Sequence, residues 1–356
     1  MADFRTLTEM VQLARQNLDR EVWDYLVGGA DTETTLKRNR MAIDALQFRP
    51  KVLTDVREVT VSTELLGHPL RIPVILPPIG SVQLFEEGGG ISVARGADAF
   101  GTMQILSSVA APDFKAVAQA TAGPKIYQLY LMGDQAWMDA IIAECIEAGY
   151  AGFCLTADTQ VYSRRERDIL KGWVPPSGSG SPGSSFDYQA RMSWDTVAHI
   201  KETFDIPLVV KGINTADDAN RAIDAGVDVI YVSNHGGRQL DHGRGCIDSL
   251  PEVARAVDGR APIVVDGGFL RGADVVKALC RGADVVGMGR LEGFAMAAGG
   301  AAGIEQALKI VEHEIKTTMA LMGARSLAEL DDAWLEVATP AVAPHVLSAL
   351  PLIDEY

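Results

Sequence analysis

Eight short apolar runs, many rich in β-branched residues, recur from residue 72 onward and leave this chain few ways to fold. They are Ile72–Ile79, Met103–Ser107, Ile126–Leu131, Gly152–Ala157, Pro207–Lys211, Val229–Ser233, Pro262–Asp266 and Val285–Gly289. Amphipathic stretches such as Trp137–Ala148, Ala216–Ala225, Ser249–Val257 and Gly272–Cys280 separate most of them. A strand that reads as a near-continuous apolar run is buried on both faces, which requires a parallel sheet covered by helices. Eight fairly even β-then-α units predict a (β/α)8 TIM barrel. A doubly wound open sheet is the competing α/β arrangement, and the evenness of the units favours the barrel.

The 356 residues, 47% of them hydrophobic, suffice for a large core and fit a single barrel domain. Ahead of the barrel, residues 1–70 read as a helical segment. Thr6 and Glu9 have capping-box spacing, Met10, Leu13, Ala14, Leu18, Val22 and Leu26 follow at mostly helical intervals, and Gly28-Gly29 ends the helix. After the fourth strand, Lys171–Ser185 is rich in Gly, Ser and Pro, so residues 171–192 are expected to form a lid loop or a disordered connector. The net charge of −15 argues against a nucleic-acid partner, because phosphate binding needs a basic face. Cys145, Cys154, Cys246 and Cys280 lie far apart with no C-x-x-C pair and read as buried free thiols. The first residues lack a basic and then apolar leader, and no run approaches about 18 apolar residues. A cytoplasmic protein without a membrane partner or bound metal is therefore expected.

In such a barrel the chemistry gathers at the C-terminal ends of the strands. Here those ends carry Pro78-Ile79-Gly80, Ser107-Ser108, Gln128 with Tyr130, Thr156 with Asp158, Lys211, Ser233-Asn234-His235, Asp266-Gly267-Gly268 and Gly289-Arg290. His235 is the candidate base, since imidazole titrates near neutrality, and Asp158 is the candidate carboxylate to hold it. Arg238 and Arg165 are candidates to clamp an anion through paired hydrogen bonds, although Arg164-Arg165-Glu166-Arg167-Asp168 also reads as a solvated salt-bridge run. Asp266-Gly267-Gly268 and Gly289-Arg290 follow the seventh and eighth strands, where barrels commonly build phosphate sites, or else they are tight turns. Lys211, a charge ending an apolar strand, faces a ligand or an internal partner.

The segment Ser233-Asn234-His235-Gly236-Gly237-Arg238-Gln239, with Val210-Lys211-Gly212, Gln128-Leu129-Tyr130 and Asp266-Gly267-Gly268, resembles the FMN-dependent L-2-hydroxy acid oxidase and dehydrogenase family over nearly the whole chain. The resemblance implies oxidation of a small 2-hydroxy acid to the 2-oxo acid, with electrons passed through FMN to O2 or another acceptor. It implies His235 as the base held by Asp158, with the electron pair leaving C2 as hydride or through a carbanion. Arg238, Arg165 and Tyr25 would bind the substrate carboxylate, and Tyr130 the hydroxyl region. Lys211 would lie near the flavin N1–O2 edge. Pro78, Ile79, Gly80, Ser107, Gln128, Thr156 and Ser233 would line the flavin, while Asp266, Gly267, Gly268, Gly289 and Arg290 would hold its ribityl phosphate. A homotetramer or octamer is the assembly it implies.

Three departures from the family pattern bear on this. An arginine expected two residues after Gly268 is Leu270, which leaves the phosphate to Arg290 and backbone amides, or to a shifted Arg271. Gly80 should leave space beside the flavin, which keeps an FMN-dependent monooxygenase as the alternative reading. An inactive flavin-binding relative is a further one. Val109 replaces an aromatic residue and implies a substrate bulkier than glycolate.

Overall fold

The computed structural model describes residues 3–178 and 186–354. Its centre is an eight-stranded parallel sheet of β1 (Val74–Ile75), β2 (Gln104–Ser107), β3 (Lys125–Leu129), β4 (Gly152–Thr156), β5 (Leu208–Ile213), β6 (Val229–Val232), β7 (Ile263–Val265) and β8 (Val285–Gly287). Every neighbouring pair from β2 round to β8 is parallel, and β8 pairs with β1. The ring closes between β1 and β2, where the Leu76 amide donates to Met103 O (3.0 Å) and the Ile105 amide to Leu76 O (2.8 Å). The barrel expected from the apolar runs is thus the fold.

The first strand is far shorter than its run. Pro73, Pro77 and Pro78 flank it and supply no ladder donors, so only Val74 and Ile75 pair. Elsewhere strand and run agree to within a few residues.

The barrel interior holds a continuous apolar layer that includes Ile75, Ile105, Ile126, Val209, Val229, Tyr231, Val264 and Val285. Its N-terminal mouth is stopped by an antiparallel hairpin, Thr63–Leu65 with His68–Leu70, whose Leu65 and Leu70 join that layer. The helices form a second core against the outer faces of the strands. All four cysteines are buried and free.

The N-terminal pattern forms two helices instead of one. Thr6 and Glu9 make the expected capping box, with the Glu9 amide on Thr6 Oγ1 (3.1 Å) and the Thr6 amide on Glu9 Oε2 (2.9 Å). That helix, Leu7–Asn17, packs on Gly289–Met322 and then stops, because Leu18 turns extended (φ −96°, ψ 137°). A second helix, Arg20–Val27, packs under Glu166–Leu170 and ends at Gly28. The second helix also touches Gly289–Met322, and the change of direction lets it reach Glu166–Leu170 as well. A third helix, Thr34–Asp44, follows. The hairpin within residues 63–70 was invisible as a pattern, since three-residue strands carry too little periodicity.

Leu70→Ala should leave an unfilled hole at the barrel floor and cost about 2–5 kcal/mol, read as a lower urea midpoint at unchanged slope.

Candidate active site

After β6 the chain takes three consecutive left-handed residues, His235 (φ 58°), Gly236 (φ 64°) and Gly237 (φ 76°). Glycine is required at 237, where a Cβ would lie 2.5 Å from the Leu36 backbone. The Asn234 side chain holds the turn: its Oδ1 accepts from the Gly237 amide (3.1 Å) and from Asn39 Nδ2 (2.9 Å), while its Nδ2 donates to Asn39 Oδ1 (2.8 Å). This turn delivers His235 with both ring nitrogens engaged. Nδ1 lies 3.0 Å from Asp158 Oδ1 and 3.3 Å from Thr159 Oγ1, and Nε2 lies 3.3 Å from the Tyr130 hydroxyl. An ionised Asp158 places the ring proton on Nδ1 and leaves the Nε2 lone pair facing Tyr130.

Electrostatics support that assignment. Burial pulls the His235 pKa below 6.5, and Lys211 and Arg165 add to the fall against the pull of Asp158. Burial alone would raise the Asp158 carboxyl, but His235 and Lys211 outweigh it and hold it below its usual value. Burial pushes the Tyr130 hydroxyl far up, so it stays protonated. The resting state is a neutral imidazole against a carboxylate, with the basic Nε2 at the cavity beside the Tyr130 hydroxyl.

Lys211 is buried and does have an internal partner. Its Nζ donates to Ser233 Oγ (2.7 Å) and lies 3.3 Å from Asp266 Oδ2, while Ser233 Oγ donates to Asp266 Oδ1 (2.6 Å). Burial disfavours its charge, but Asp266 and Asp158 more than restore it. Lys211 therefore reaches the cavity as a cation.

Two guanidinium groups stand over aromatic rings beside His235. Arg238 lies 4.7 Å above Tyr25 and donates to Gly28 O (2.9 Å), and Arg165 lies 4.5 Å above Tyr162. Arg165 is buried, so it is not part of a solvated run; its neighbours Arg164 and Glu166 are exposed. Arg290 donates to Gly236 O (3.0 Å) and Gly28 O (2.8 Å). Burial and the neighbouring Arg165 push Arg238 down to about 10, and burial with Arg238 pushes Arg290 down to about 9. Their hydrogen bonds go to neutral carbonyls, and the carboxylates of Asp168 for Arg238 and of Glu33 and Asp266 for Arg290 offset the charge only in part.

These groups share one cavity of about 490 Å³, lined among others by Tyr25, Pro78, Ile79, Gly80, Tyr130, Arg165, Lys211, His235, Arg238, Asp266, Gly267, Gly268, Gly289 and Arg290. Ser107, Gln128, Thr156 and Ser233 are buried at the strand ends beneath it. Arg271 is not brought in. Its fork is held by Glu314 (Nη2–Oε1 2.6 Å), which removes it from the set of expected phosphate ligands. The space expected at Gly80 is also closed, since a Cβ there would lie 2.9 Å from Val109 Cγ2 and 3.1 Å from Ser177 Cβ.

Of the lid loop 171–192, residues 179–185 lie outside the described residues. Its near arm seats Ser177 over the site, with the Ser177 amide on Ser81 Oγ (2.8 Å) and its hydroxyl 3.4 Å from that of Tyr25, which donates to Gly80 O (2.8 Å). Its far arm, the helix Phe186–Ala190, supplies Gln189 to the same cavity. Sequence reasoning missed Ser177, Gln189, Thr159 and Asn39, single polar residues in loops and helices with no motif around them.

A profile of the FMN-dependent dehydrogenase family matches residues 14–337. The chain is 35% identical to an L-lactate oxidase of Nostoc sp., covering 93% of this chain and 98% of that protein. It is also 35% identical to a glycolate oxidase of Spinacia oleracea, over 92% of this chain and 94% of the relative. A crystal structure of mandelate oxidase superposes with a TM-score of 0.87 at 32% identity, covering 95% of this chain and 100% of that one. The chain belongs to the FMN-dependent dehydrogenase family.

FMN is the cofactor of that family, and the residues here fit it. Gln128 Nε2 and Oε1 and Thr156 Oγ1 are buried with no hydrogen-bond partner among the described residues, polar atoms that a flavin edge would satisfy. At the other end of the cavity, the helix Gly289–Met322 begins with no side-chain cap, so its first-turn amides stand free beside Arg290 as an anion site.

Gly80→Ala should cost about 1–3 kcal/mol from overpacking, read by thermal unfolding, and the double variant G80A/V109A should recover most of it.

Proposed function

We propose that this protein oxidises an L-2-hydroxy acid to the 2-oxo acid. The observation that carries this reading is His235, gripped at both ring nitrogens, in one cavity with the guanidinium groups of Arg238 and Arg165. Bound FMN would supply the acceptor for the two electrons and one hydrogen that leave the substrate carbinol. Gln128, Thr156, Ser107 and Ser233 would hold its ring with Lys211, and Gly267, Gly268, Gly289 and Arg290 its phosphate, while Pro78, Ile79 and Gly80 line the ring's face.

The chain's own residues do the rest. Arg238 and Arg165 clamp the carboxylate, and the charge-assisted pairs fix the acid's orientation. The Tyr25 hydroxyl lies in the same cavity and would donate to that carboxylate on releasing Gly80 O. Tyr130 steers the substrate hydroxyl toward Nε2 of His235, which takes the remaining proton. Asp158 stabilises the imidazolium that results, and the proton later leaves to solvent. Lys211 offsets negative charge that accumulates beside it. The electrons pass on to O2 or another acceptor. Val109 and Ser177 fill the notch over Gly80, which weighs against the monooxygenase reading that an open notch would favour.

Anaerobic mixing of the FMN-loaded protein with lactate, mandelate and longer 2-hydroxy acids should bleach the flavin absorbance with at least one of them. His235→Ala should slow that bleaching by about 10²–10⁴-fold while the acid still binds. A flavin that no acid bleaches would refute the reading.

The base must be neutral to act, and its pKa lies below 6.5. The acid limb of kcat/KM should therefore fall below pH 6.5, with full activity through neutrality.

A further inference from the structure

The last register pair of β3 and β4 is Leu129 with Leu155, and beyond it the two strand ends separate to carry different chemistry. β3 continues through Tyr130 and Leu131, and β4 through Thr156 to Asp158. One side chain rejoins them. Gln189, 1% exposed, accepts from the Leu131 amide through Oε1 (2.7 Å) and donates from Nε2 to Thr156 O (2.8 Å). Its carboxamide takes the place of one rung of the ladder, with donor and acceptor each facing the backbone group of opposite kind.

The two segments it ties are the ones that hold His235. Tyr130, on Nε2, adjoins Leu131, and Asp158, on Nδ1, stands two residues past Thr156. We propose that Gln189 is a positioning residue that sets the spacing of Tyr130 and Asp158, and through them the aim of the His235 imidazole. The rung is supplied by the helix Phe186–Ala190, outside the barrel strands, so the far arm of the loop after β4 is part of the frame of the base. A buried amide that meets two buried backbone groups is strongly oriented, because leaving either unpaired costs about 1–3 kcal/mol. This proposal rests on His235 being the base. Its neighbours are Asp158, Tyr130, Thr159, Lys211 and Arg165, and Gln189 touches none of their charged atoms.

Three variants of the FMN-loaded protein test it: Gln189→Leu keeps the volume without hydrogen bonds, Gln189→Asn is one methylene short, and Gln189→Glu loses its donor when ionised. Two readouts apply, the His235 titration by imidazole NMR without substrate and the pH profile of kcat/KM. In Q189L and Q189N the titration midpoint should fall below that of the unaltered protein as Asp158 withdraws, and kcat/KM should drop roughly ten- to a hundredfold with KM little changed. Relative to Q189L, Q189E should gain activity as the pH falls through the range in which His235 is still neutral, where a protonated carboxyl can donate to Thr156 O while accepting from Leu131. Variants that lose only melting temperature, with an unmoved His235 titration and pH profile, would overturn the proposal. A moved titration in a protein that oxidises no hydroxy acid would leave the positioning role standing and refute the function instead.

Discussion

Closure of the barrel on its shortest strand is the constraint from which the site follows. β1 contributes only Val74 and Ile75 to the sheet, and Leu76 completes the ring with two bonds to Met103 and Ile105. A parallel sheet left open there would expose backbone donors and acceptors to an apolar helix layer. Closing it sends every strand's C-terminal end toward one mouth, and short strands reach that mouth with their polar residues at once. Register then decides which side chains face inward, since a one-residue slip would exchange them all. The single irregularity is informative. β5 shifts register between Lys211 and Ile213, and at Gly212 (φ 117°) a Cβ would lie 2.8 Å from the Asp158 amide. The bulge lets Asp158 come close enough to reach His235 while Lys211 still points inward.

The strands were legible because burial on both faces writes itself as an unbroken apolar run, and the strand-end residues could be read from where those runs stop. What was not legible depends on distance in sequence. Arg271 looked like a phosphate ligand as the cation nearest the Asp266-Gly267-Gly268 turn, yet Glu314, from another helix, claims its fork. Gly80 looked like open space because a missing side chain says nothing about what packs against it, and Val109 and Ser177 do. The Leu18 break in the N-terminal helix lets the second helix reach Glu166–Leu170, a contact that no local periodicity encodes. Gln189 belongs to the same class, since its role exists only once Leu131 and Thr156 are neighbours.

The polar interior is divided into two kinds of group. Lys211, Ser233 and Asp266 satisfy one another, and His235 and Thr159 both bond to Oδ1 of Asp158, whose Oδ2 has no hydrogen-bond partner among the described residues. Linked sets of this kind orient their members, which fits groups that must hold geometry through a reaction. Arg238 and Arg290 differ, because their partners are carbonyl oxygens. Such bonds satisfy the donors, while the carboxylates of Asp168 for Arg238 and of Glu33 and Asp266 for Arg290 act on the charge through space.

The two cations share an acceptor, since Gly28 O receives both Arg238 Nη1 and Arg290 Nη2. Gly28 ends the second N-terminal helix, and two residues later the Ala30 amide donates to Gly237 O (2.9 Å), in the His235 turn itself. The residues before the barrel are therefore not an appendage to it. They provide the neutral oxygen that holds both guanidinium groups in place ahead of any ligand. In the proposed function a substrate carboxylate would draw on Arg238 and a cofactor phosphate on Arg290, so each would act on a fork whose remaining anchor is common to both. The carbonyl of one glycine would thereby join the two ends of the cavity.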